Sequence, residues 1–188
     1  HVNQTIFALA SAQGRAGVSI IRLSGLEALQ ALKRLTDKTV TPRRAVFTPL
    51  TWDGEVIDEA VVIWFQAPHS FTGEDCVELH SHGSKAILDR LYGILIEMGL
   101  RLAEPGEFSR RALENGKLDL TQAEAIADLV DAESEAQRRQ ALTQMGGGLS
   151  RQYEAWRQAL VDILARIEVY IDFPDEDLPE ELSDSILS

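Results

Sequence analysis

The apolar residues change their spacing near Leu118, and this change limits the folds open to the chain. Before it, short β-rich runs alternate with runs spaced for one face of a helix. After it, the apolar residues follow helical spacing. The charge changes at the same point: residues 1–118 carry 14 acidic and 13 basic side chains, whereas residues 119–188 carry 16 and 5. We therefore predict two physically different units, 1–118 and 119–188.

The first unit is predicted to be a mixed α+β domain. Asp53–Gly54 separates two long β-rich runs and is a strong signal for a hairpin. Ser24–Gly25 is expected to open a helix that ends at Leu35, with Leu26, Leu29, Leu32 and Leu35 on one apolar face. A second helix follows Gly83 and a third surrounds Glu107–Leu113. The predicted strands are Ile6–Ala10, Gly17–Leu23, Ala45–Trp52, Val56–Phe65, Cys76–His80 and Leu100–Ala103.

The second unit is predicted to be helical throughout. Thr121 and Glu124 fit a capping box at its first helix, and Gly146–Gly148 predicts a break. Beyond the break, apolar residues repeat at alternating spacings of four and three: Leu149, Tyr153, Trp156, Leu160, Ile163, Ile167 and Tyr170. Such a seam is more typical of the core of a helical bundle than of a free coiled coil, and it requires partner helices. A helix predicted to begin near Ser183, only one turn before the last residue, favours a piece of a longer protein.

The composition argues against several classes of protein. The single cysteine, Cys76, cannot form an internal disulfide or a cysteine metal cluster. The sequence has neither an apolar run long enough to cross a bilayer nor the pattern of a signal peptide, which predicts a cytoplasmic protein without membrane association. The net charge of −12 argues against unaided binding to nucleic acid, because phosphate contacts need a basic surface.

Two charged residues lie on predicted strands where apolar residues are expected. Alternation places Arg22 on the face of Val18 and Ile20, and Glu78 on the face of Cys76 and His80. Arg22 could reach solvent at the end of its strand, or Glu78 and Arg22 could form a structural salt bridge. A third possibility is a ligand site, because a carboxylate can accept two adjacent donors from the amino-pyrimidinone edge of a pterin or guanine.

Three further features lie close to these strands or between the units. The stretch Ser70–Asp75 is predicted to be a tight loop in which Thr72 or Asp75 holds backbone donors. His80 and His82, with His69 as a third ligand, allow a zinc site on steric grounds, but no complete ligand set is evident. Lys117 follows the helix terminator Asn115–Gly116 and is either a surface charge or a contact for an anionic ligand.

Four motifs together resemble the MnmE (TrmE) family of tRNA-modifying GTPases, in its order and at its spacing. The resemblance covers nearly the whole chain and is weakest over residues 26–58. The motifs are GRAGVSIIRLSG (14–25), SFTGEDCVELHSHG (70–83), EPGEFSRRALENGKLDLTQAEAIADLVDAES (104–134) and YIDFPDED (170–177). The resemblance implies that 1–118 is a folate-binding and dimerisation domain like that of the glycine-cleavage T-protein, a mixed sheet with flanking helices. It implies that 119–188 begins the family's helical domain.

The resemblance also implies a site and partners. The family's folate-contacting arginine, glutamate and lysine fall on Arg22, Glu78 and Lys117. The expected cofactor is 5-formyl- or 5,10-methylene-tetrahydrofolate, whose one-carbon unit enters a 5-carboxymethylaminomethyl-type modification of the wobble uridine of tRNA. The implied partners are a second copy of the chain, the flavoprotein MnmG (GidA) and tRNA.

One part of the family pattern is missing from this sequence. It has no GxxxxGK[ST] phosphate loop, so the GTP, Mg²⁺ and K⁺ sites of the family, and any catalytic residue, are expected outside it. Two other functions stay open. The chain could be a dimerisation scaffold that binds no folate, or a standalone folate-dependent one-carbon transferase, although no motif identifies a catalytic aspartate for the latter.

Overall fold

The structure is a computed structural model that describes residues 4–12 and 16–172, with the side chains of residues 166–172 excepted. It divides into two compact units, His1–Leu118 and Asp119–Ser188, which we call the sheet unit and the helical unit. Gly14 and Arg15 of the first motif, the acidic run 173–177 and the helix predicted near Ser183 lie outside the described residues, as do the side chains of Ile167 and Tyr170.

The sheet unit is built on one six-stranded mixed sheet. The spatial order of the strands is β3-β4-β5-β2-β1-β6, with β1 and β6 parallel and the other neighbours antiparallel. The strands are β1 (Ile6–Leu9), β2 (Ala16–Ser24), β3 (Val46–Trp52), β4 (Glu55–Phe65), β5 (Cys76–Gly83) and β6 (Arg101–Leu102). The helices of this unit are α1 (Ala28–Leu35), α2 (Lys85–Glu97) and α3 (Glu107–Glu114).

The core lies on one face of this sheet, under α1 and α2. Alternation along β2 and β5 directs Ile21, Leu23, Val77 and Leu79 to that face, where they are buried. The two helices cover these residues with their own apolar stripes: Ala28, Ala31, Leu32 and Leu35 from α1, and Leu91, Ile94 and Leu95 from α2. Arg22 and Glu78 therefore lie on the opposite face.

The predicted hairpin forms between β3 and β4. Asp53 and Gly54 both adopt positive φ angles, 50° and 78°, as a type I′ turn requires. The aspartate and glycine tolerate this region better than other residues, so the turn chemistry fixes where the two strands reverse.

The first helix begins later than its apolar pattern predicts. Ser24 is the last residue of β2 and pairs with Ile6 and Cys76, so α1 starts only at Ala28. Leu26 consequently lies in the turn before the helix and is exposed, which corrects its predicted place on the apolar face. Backbone pairing on both sides keeps Ser24 in the strand, and its buried hydroxyl lies 2.7 Å from Thr72 Oγ1 in the loop after β4.

The helical unit consists of α4 (Leu120–Val130), α5 (Glu135–Met145) and α6 (Gly148–Asp172). The predicted break is confirmed, since Gly147 has a φ of 78° between α5 and α6. The predicted capping box of α4 is wrong: Asp119 is the N-cap and Gln122 completes the box. Asp119 takes this position because its carboxylate accepts both the backbone N–H of Gln122 and the hydroxyl of Thr121.

The fold-class prediction, α+β followed by a helical segment, is confirmed by these two units. Among the described residues, no helix is both long enough and apolar enough to cross a membrane.

Candidate functional site

Arg22 and Glu78 face each other across β2 and β5, at matching positions of the strand register. The Nε and Nη2 atoms of Arg22 donate to the same carboxylate oxygen, Oε1 of Glu78, at 3.1 and 2.8 Å. The other oxygen, Oε2, lies 3.0 Å from Nε2 of His80. The salt bridge that the strand pattern allowed is therefore present, and it extends to a histidine on the same face.

Glu78 is held as a carboxylate by these partners. Burial raises its pKa, but the hydrogen bonds and charges of Arg22 and His80 outweigh burial, so the pKa lies below its ordinary value. An ionised carboxylate only accepts hydrogen bonds, and its two oxygens offer more acceptor sites than Arg22 and His80 occupy. The side chain is 15% exposed, which leaves this acceptor accessible from one side.

Two aromatic rings flank the guanidinium of Arg22. Its Cζ atom lies 5.6 Å from the ring centroid of Phe71 and 6.0 Å from that of Phe108. Phe71 comes from the loop between β4 and β5, and Phe108 comes from α3. A carboxylate, a cation and two ring faces thus lie together on the sheet, a combination suited to a flat, polar heteroaromatic ligand.

The loop 66–75 that carries Phe71 is fixed from several sides. Thr72 Oγ1 lies 2.7 Å from Ser24 Oγ and accepts the backbone N–H of Glu74, and Asn115 Nδ2 donates to the Thr72 carbonyl at 2.7 Å. Asp75 Oδ1 accepts the backbone N–H of Ala67 at 2.9 Å. These contacts confirm the predicted roles of Thr72 and Asp75, and they hold Phe71 beside β2.

Gly73 allows Lys117 to approach this loop. A Cβ at Gly73 would lie 3.1 Å from Cγ of Lys117 and 3.1 Å from Cβ of Asn115, and the φ of Gly73 is 80°. Any larger residue would therefore be both strained and crowded. Lys117 Nζ donates to the carbonyl of Pro68 at 3.0 Å. The structure thus joins Arg22 to Glu78 directly, whereas Lys117 binds the backbone of the neighbouring loop.

A buried ion network, which the sequence pattern did not predict, lies behind the loop. Arg111 Nη1 donates to both oxygens of Glu74, at 3.2 and 3.0 Å, and its Nη2 donates to Glu107 Oε1 at 3.1 Å. Arg101 forms a bidentate pair with Glu107, at 3.0 and 2.6 Å. The spacing of Glu107 and Arg111, four residues apart on one helix, was the available signal. Their burial and the link to Glu74 depend on the fold.

The histidines proposed as zinc ligands have other partners. Asp58 accepts hydrogen bonds from the backbone of His82 and pairs with its ring, both at 2.8 Å, whereas His80 pairs with Glu78. His69 lies in the loop 66–75. The carboxylate of Asp75, at the end of this loop, accepts a hydrogen bond from the backbone N–H of Ala67. Within residues 4–12 and 16–172, no group of three or more His, Cys, Asp or Glu side chains is arranged to hold a metal ion.

Comparison with known proteins identifies the family. A family model described as the N-terminus of the GTP-binding protein TrmE matches residues 5–117, and a model described as the MnmE helical domain matches residues 120–188. Proteins named tRNA modification GTPase MnmE are similar over most of the chain. The one from Paramagnetospirillum magneticum is 59% identical over 183 residues, covering 96% of this chain and 42% of the relative.

Two further relatives with the same name give the same result. The protein from Caulobacter vibrioides is 52% identical, covering 97% of this chain and 41% of its own length. The protein from Ehrlichia chaffeensis is 54% identical, with 92% and 39% covered. The chain therefore spans about two fifths of the length of these relatives. Matches of this identity and extent confirm the resemblance seen in the motifs: the chain belongs to the MnmE (TrmE) family of tRNA modification GTPases.

Proposed function

We propose that this chain is the folate-binding and helical part of a tRNA-modifying GTPase. In this proposal, the sheet unit binds a reduced folate, 5-formyl- or 5,10-methylene-tetrahydrofolate, as the one-carbon donor. The donor serves a 5-carboxymethylaminomethyl-type modification of the wobble uridine in tRNA. GTP, Mg²⁺ and K⁺ would act in parts of the protein beyond this chain, in the cytoplasm. The ionised carboxylate of Glu78, accessible beside two aromatic rings, is the observation that carries the folate proposal.

The chemistry of the site fits a reduced folate. The pterin ring presents two adjacent N–H donors on its amino-pyrimidinone edge, and a carboxylate such as Glu78 accepts such a pair with geometric selectivity. Phe71 and Phe108, which flank Arg22, would supply aromatic rings beside the flat part of the ligand, while Arg22 keeps Glu78 ionised and provides donors for ligand oxygens. Lys117, beside the same loop, would meet a polar or anionic part. When bound, the folate would supply the one-carbon unit.

The partners proposed from the family are a second copy of the chain and the flavoprotein MnmG (GidA). In this proposal the homodimer forms through the sheet unit, and tRNA is the substrate of the complex with MnmG. Sedimentation velocity at micromolar concentration should show a dimer, and a monomer would contradict that part of the proposal. The excess of negative charge in 119–188 would suit a basic partner surface, in which case the association with MnmG should weaken as salt is raised.

Calorimetric titration of the chain with 5-formyl-tetrahydrofolate tests the folate proposal. Glu78→Gln keeps the size of the side chain but removes the charge, and its affinity should fall roughly 10- to 100-fold, as expected for the loss of charged hydrogen bonds. Glu59→Gln, an exposed carboxylate on β4, is the matched control and should bind normally. Thermal unfolding of both variants separates a binding defect from a folding defect.

The outcome distinguishes a folate site from a dimerisation scaffold. Tight binding by the chain and by Glu59→Gln, lost in Glu78→Gln, supports a folate site on β2 and β5. A chain that binds no reduced folate, or a Glu78→Gln variant as tight as the parent, overturns the assignment and favours a dimerisation scaffold. A standalone one-carbon transferase would in addition release product without GTP or a partner, which a single-turnover assay measures directly.

A further inference from the structure

A cavity lies beside the same loop, where β4 ends. It has a volume of about 330 Å³ and is lined by Pro42, Arg43, Gln66 and His69. Two of these residues precede β3 and two belong to the loop 66–75 that carries Phe71. The cavity therefore adjoins the Arg22–Glu78 site through a common loop, and its lining contains one arginine.

Arg43 is held at this cavity in an unfavourable backbone conformation. Its φ is 61°, in the left-handed region that arginine rarely adopts. Two contacts maintain it: its backbone N–H donates to the Trp64 carbonyl at 2.8 Å, and its Nη2 donates to the His69 carbonyl at 3.1 Å. The guanidinium is thereby fixed at the cavity, while most of its five N–H donors stay available.

Arg43 is the cation in the lining of the cavity, and two more basic residues are near it in the chain or the fold: Arg44 follows it, and Lys117 Nζ donates to the carbonyl of Pro68. Among the described residues, no carboxylate lies within 4.0 Å of the side-chain nitrogens of Arg43, Arg44 or Lys117, whereas Arg22, Arg101 and Arg111 all have carboxylate partners. The acidic side chain at the base of the loop, Asp75, is engaged by the backbone of Ala67 and the indole of Trp64. The cavity therefore offers unpaired positive charge to an anion.

The sheet register gives the distance between the two sites. Arg22 pairs with Glu78, and Glu78 pairs with Ile63 on β4. Trp64, the next residue, accepts the backbone hydrogen bond of Arg43. Because neighbouring strands lie about 4.8 Å apart, the Arg43 backbone lies two strand spacings, roughly 10 Å, from that of Glu78. The two side chains can extend this backbone separation, which leaves room for a ligand that has a ring system at one end and carboxylates beyond a linker.

We propose that the Arg43 cavity binds the glutamate carboxylates of the reduced folate and favours forms that carry additional γ-linked glutamates. This inference rests on the proposed function, because it assigns the tail of the ligand whose pterin end Glu78 would hold. Arg43 is the principal contact, since its planar fork matches a carboxylate, and Arg44 and Lys117 add positive charge. His69 positions Arg43 through its carbonyl.

Calorimetry with three ligands tests the inference on the whole chain. The ligands are tetrahydropteroate, which has no glutamate, and the monoglutamate and triglutamate forms of 5-formyl-tetrahydrofolate. The triglutamate should bind about 3- to 10-fold more tightly than the monoglutamate, as expected for partly exposed charge pairs, and this ratio should shrink as salt is raised. Arg43→Gln should abolish most of the ratio and leave the affinity for tetrahydropteroate unchanged.

Arg90→Ala, at an exposed arginine on α2 paired only distantly with Glu55, is the control and should keep the ratio. Arg43→Lys retains the positive charge but not the planar guanidinium, and it should keep part of the triglutamate-to-monoglutamate ratio. Equal affinity for the two glutamate forms in the parent, or an unchanged ratio in Arg43→Gln, overturns the inference and leaves the folate site standing. Failure of every folate to bind overturns the proposed function and this inference together.

Discussion

The two units differ most in what their helices bury. In the sheet unit, α1 and α2 bury leucine and isoleucine side chains against strands that are distant in sequence. In the helical unit, the buried apolar side chains among the described residues are two alanines, Ala125 and Ala141, and the seam of α6 is exposed, with Trp156 at 55% and Leu160 at 66%. A helical apolar pattern thus predicts a helix equally well in both units. The pattern does not show whether the described residues include a surface that buries the apolar face of the helix.

The two units also differ in how exposed their ion pairs are. Arg111 and Glu107 form a buried pair in α3, with side-chain exposures of 7% and 1%, whereas Arg157 and Glu154 form a pair of similar sequence spacing in α6 that is 63% exposed on both sides. Removing one partner from a buried pair leaves a charge without compensation, which water cannot relieve. Removing one partner from an exposed pair returns the other to solvent.

The largest expected effect comes from Arg111→Met. This change leaves Glu74 without its arginine and Glu107 with one fewer, and should lower the free energy of unfolding of the sheet unit by about 3–5 kcal/mol. Urea unfolding in a Trp156→Phe background reports it, because the emission then comes from Trp52 and Trp64 in the sheet unit.

The matched change in the helical unit is Arg157→Met. It should cost about 0.3–0.5 kcal/mol, the usual contribution of an exposed pair on a helix, when followed by far-UV circular dichroism. Comparable losses from Arg111→Met and Arg157→Met would show that burial does not separate the two units.

Removing an apolar side chain should also destabilise the sheet unit more than the helical unit, with a slightly smaller difference in the free energy of unfolding. Leu79→Ala empties a fully buried position on β5 and should cost about 2–5 kcal/mol, through lost burial and the cavity left behind. Leu160→Ala, on the exposed seam of α6, should change the stability by less than about 0.5 kcal/mol. A large loss for Leu160→Ala would show that this seam is covered in solution, for instance by a second copy of the chain.

Acid should weaken the sheet unit through Glu107. The hydrogen bonds from Arg101, together with a backbone N–H and Arg111, lower its pKa from 4.5 to about 2 despite its burial. Since the folded pKa lies below the unfolded one, this stabilisation is complete above about pH 5 and is lost as the pH falls toward 2. Urea unfolding across this range should show a loss of roughly 1–3 kcal/mol from this group.

Glu107→Gln is the variant that isolates this contribution. It should lower the stability at neutral pH and flatten the decline between about pH 5 and pH 2. If the stability of the variant falls with acid as steeply as that of the parent, other carboxylates cause the decline. Glu154→Gln, at the exposed pair of α6, should leave the decline of the sheet unit unchanged.

The smallest effect concerns the start of α4. Asp119→Ala removes the N-cap and its hydrogen bonds to Gln122, Thr121 and Ser150, and should cost the helical unit about 1 kcal/mol. Glu124→Ala, at the residue first predicted to close the capping box, should cost close to nothing. Thermal melts followed by circular dichroism distinguish the two, and a larger loss at Glu124 would restore the sequence-based assignment.

The helix-capping result shows why element ends were hard to predict. Asp119 and Thr121 are both good N-caps, and the pattern Thr121-x-x-Glu124 matches the capping box as well as Asp119-x-x-Gln122 does. The hydroxyl of Ser150, 31 residues away, donates to Asp119 and supports it as the cap. Ser24 gives the same lesson, because its pairing with Cys76 on the distant strand β5 keeps it in a strand.

The site was partly predictable. Alternation along the strands identified Arg22 and Glu78 as charged residues at positions where apolar residues are expected. This pattern can be recognised from the local sequence, because side chains alternate along any strand. The pairing of the two residues was one of several open possibilities, since register depends on how strands 56 residues apart align. The network of Glu74, Glu107 and Arg111 was not found, because each residue alone resembles an ordinary surface charge.

The sequence by itself determined the elements and the family. Turn chemistry at Asp53–Gly54, the two apolar periods and the four motifs are local properties, which one sequence expresses without reference to its fold. Only the tertiary structure decided which charges are buried, which carboxylate is held ionised, and that Arg43 binds the strand that pairs with Glu78. These depend on contacts between residues far apart in the chain, and both burial and the strength of an ion pair are set by surroundings that sequence spacing does not contain.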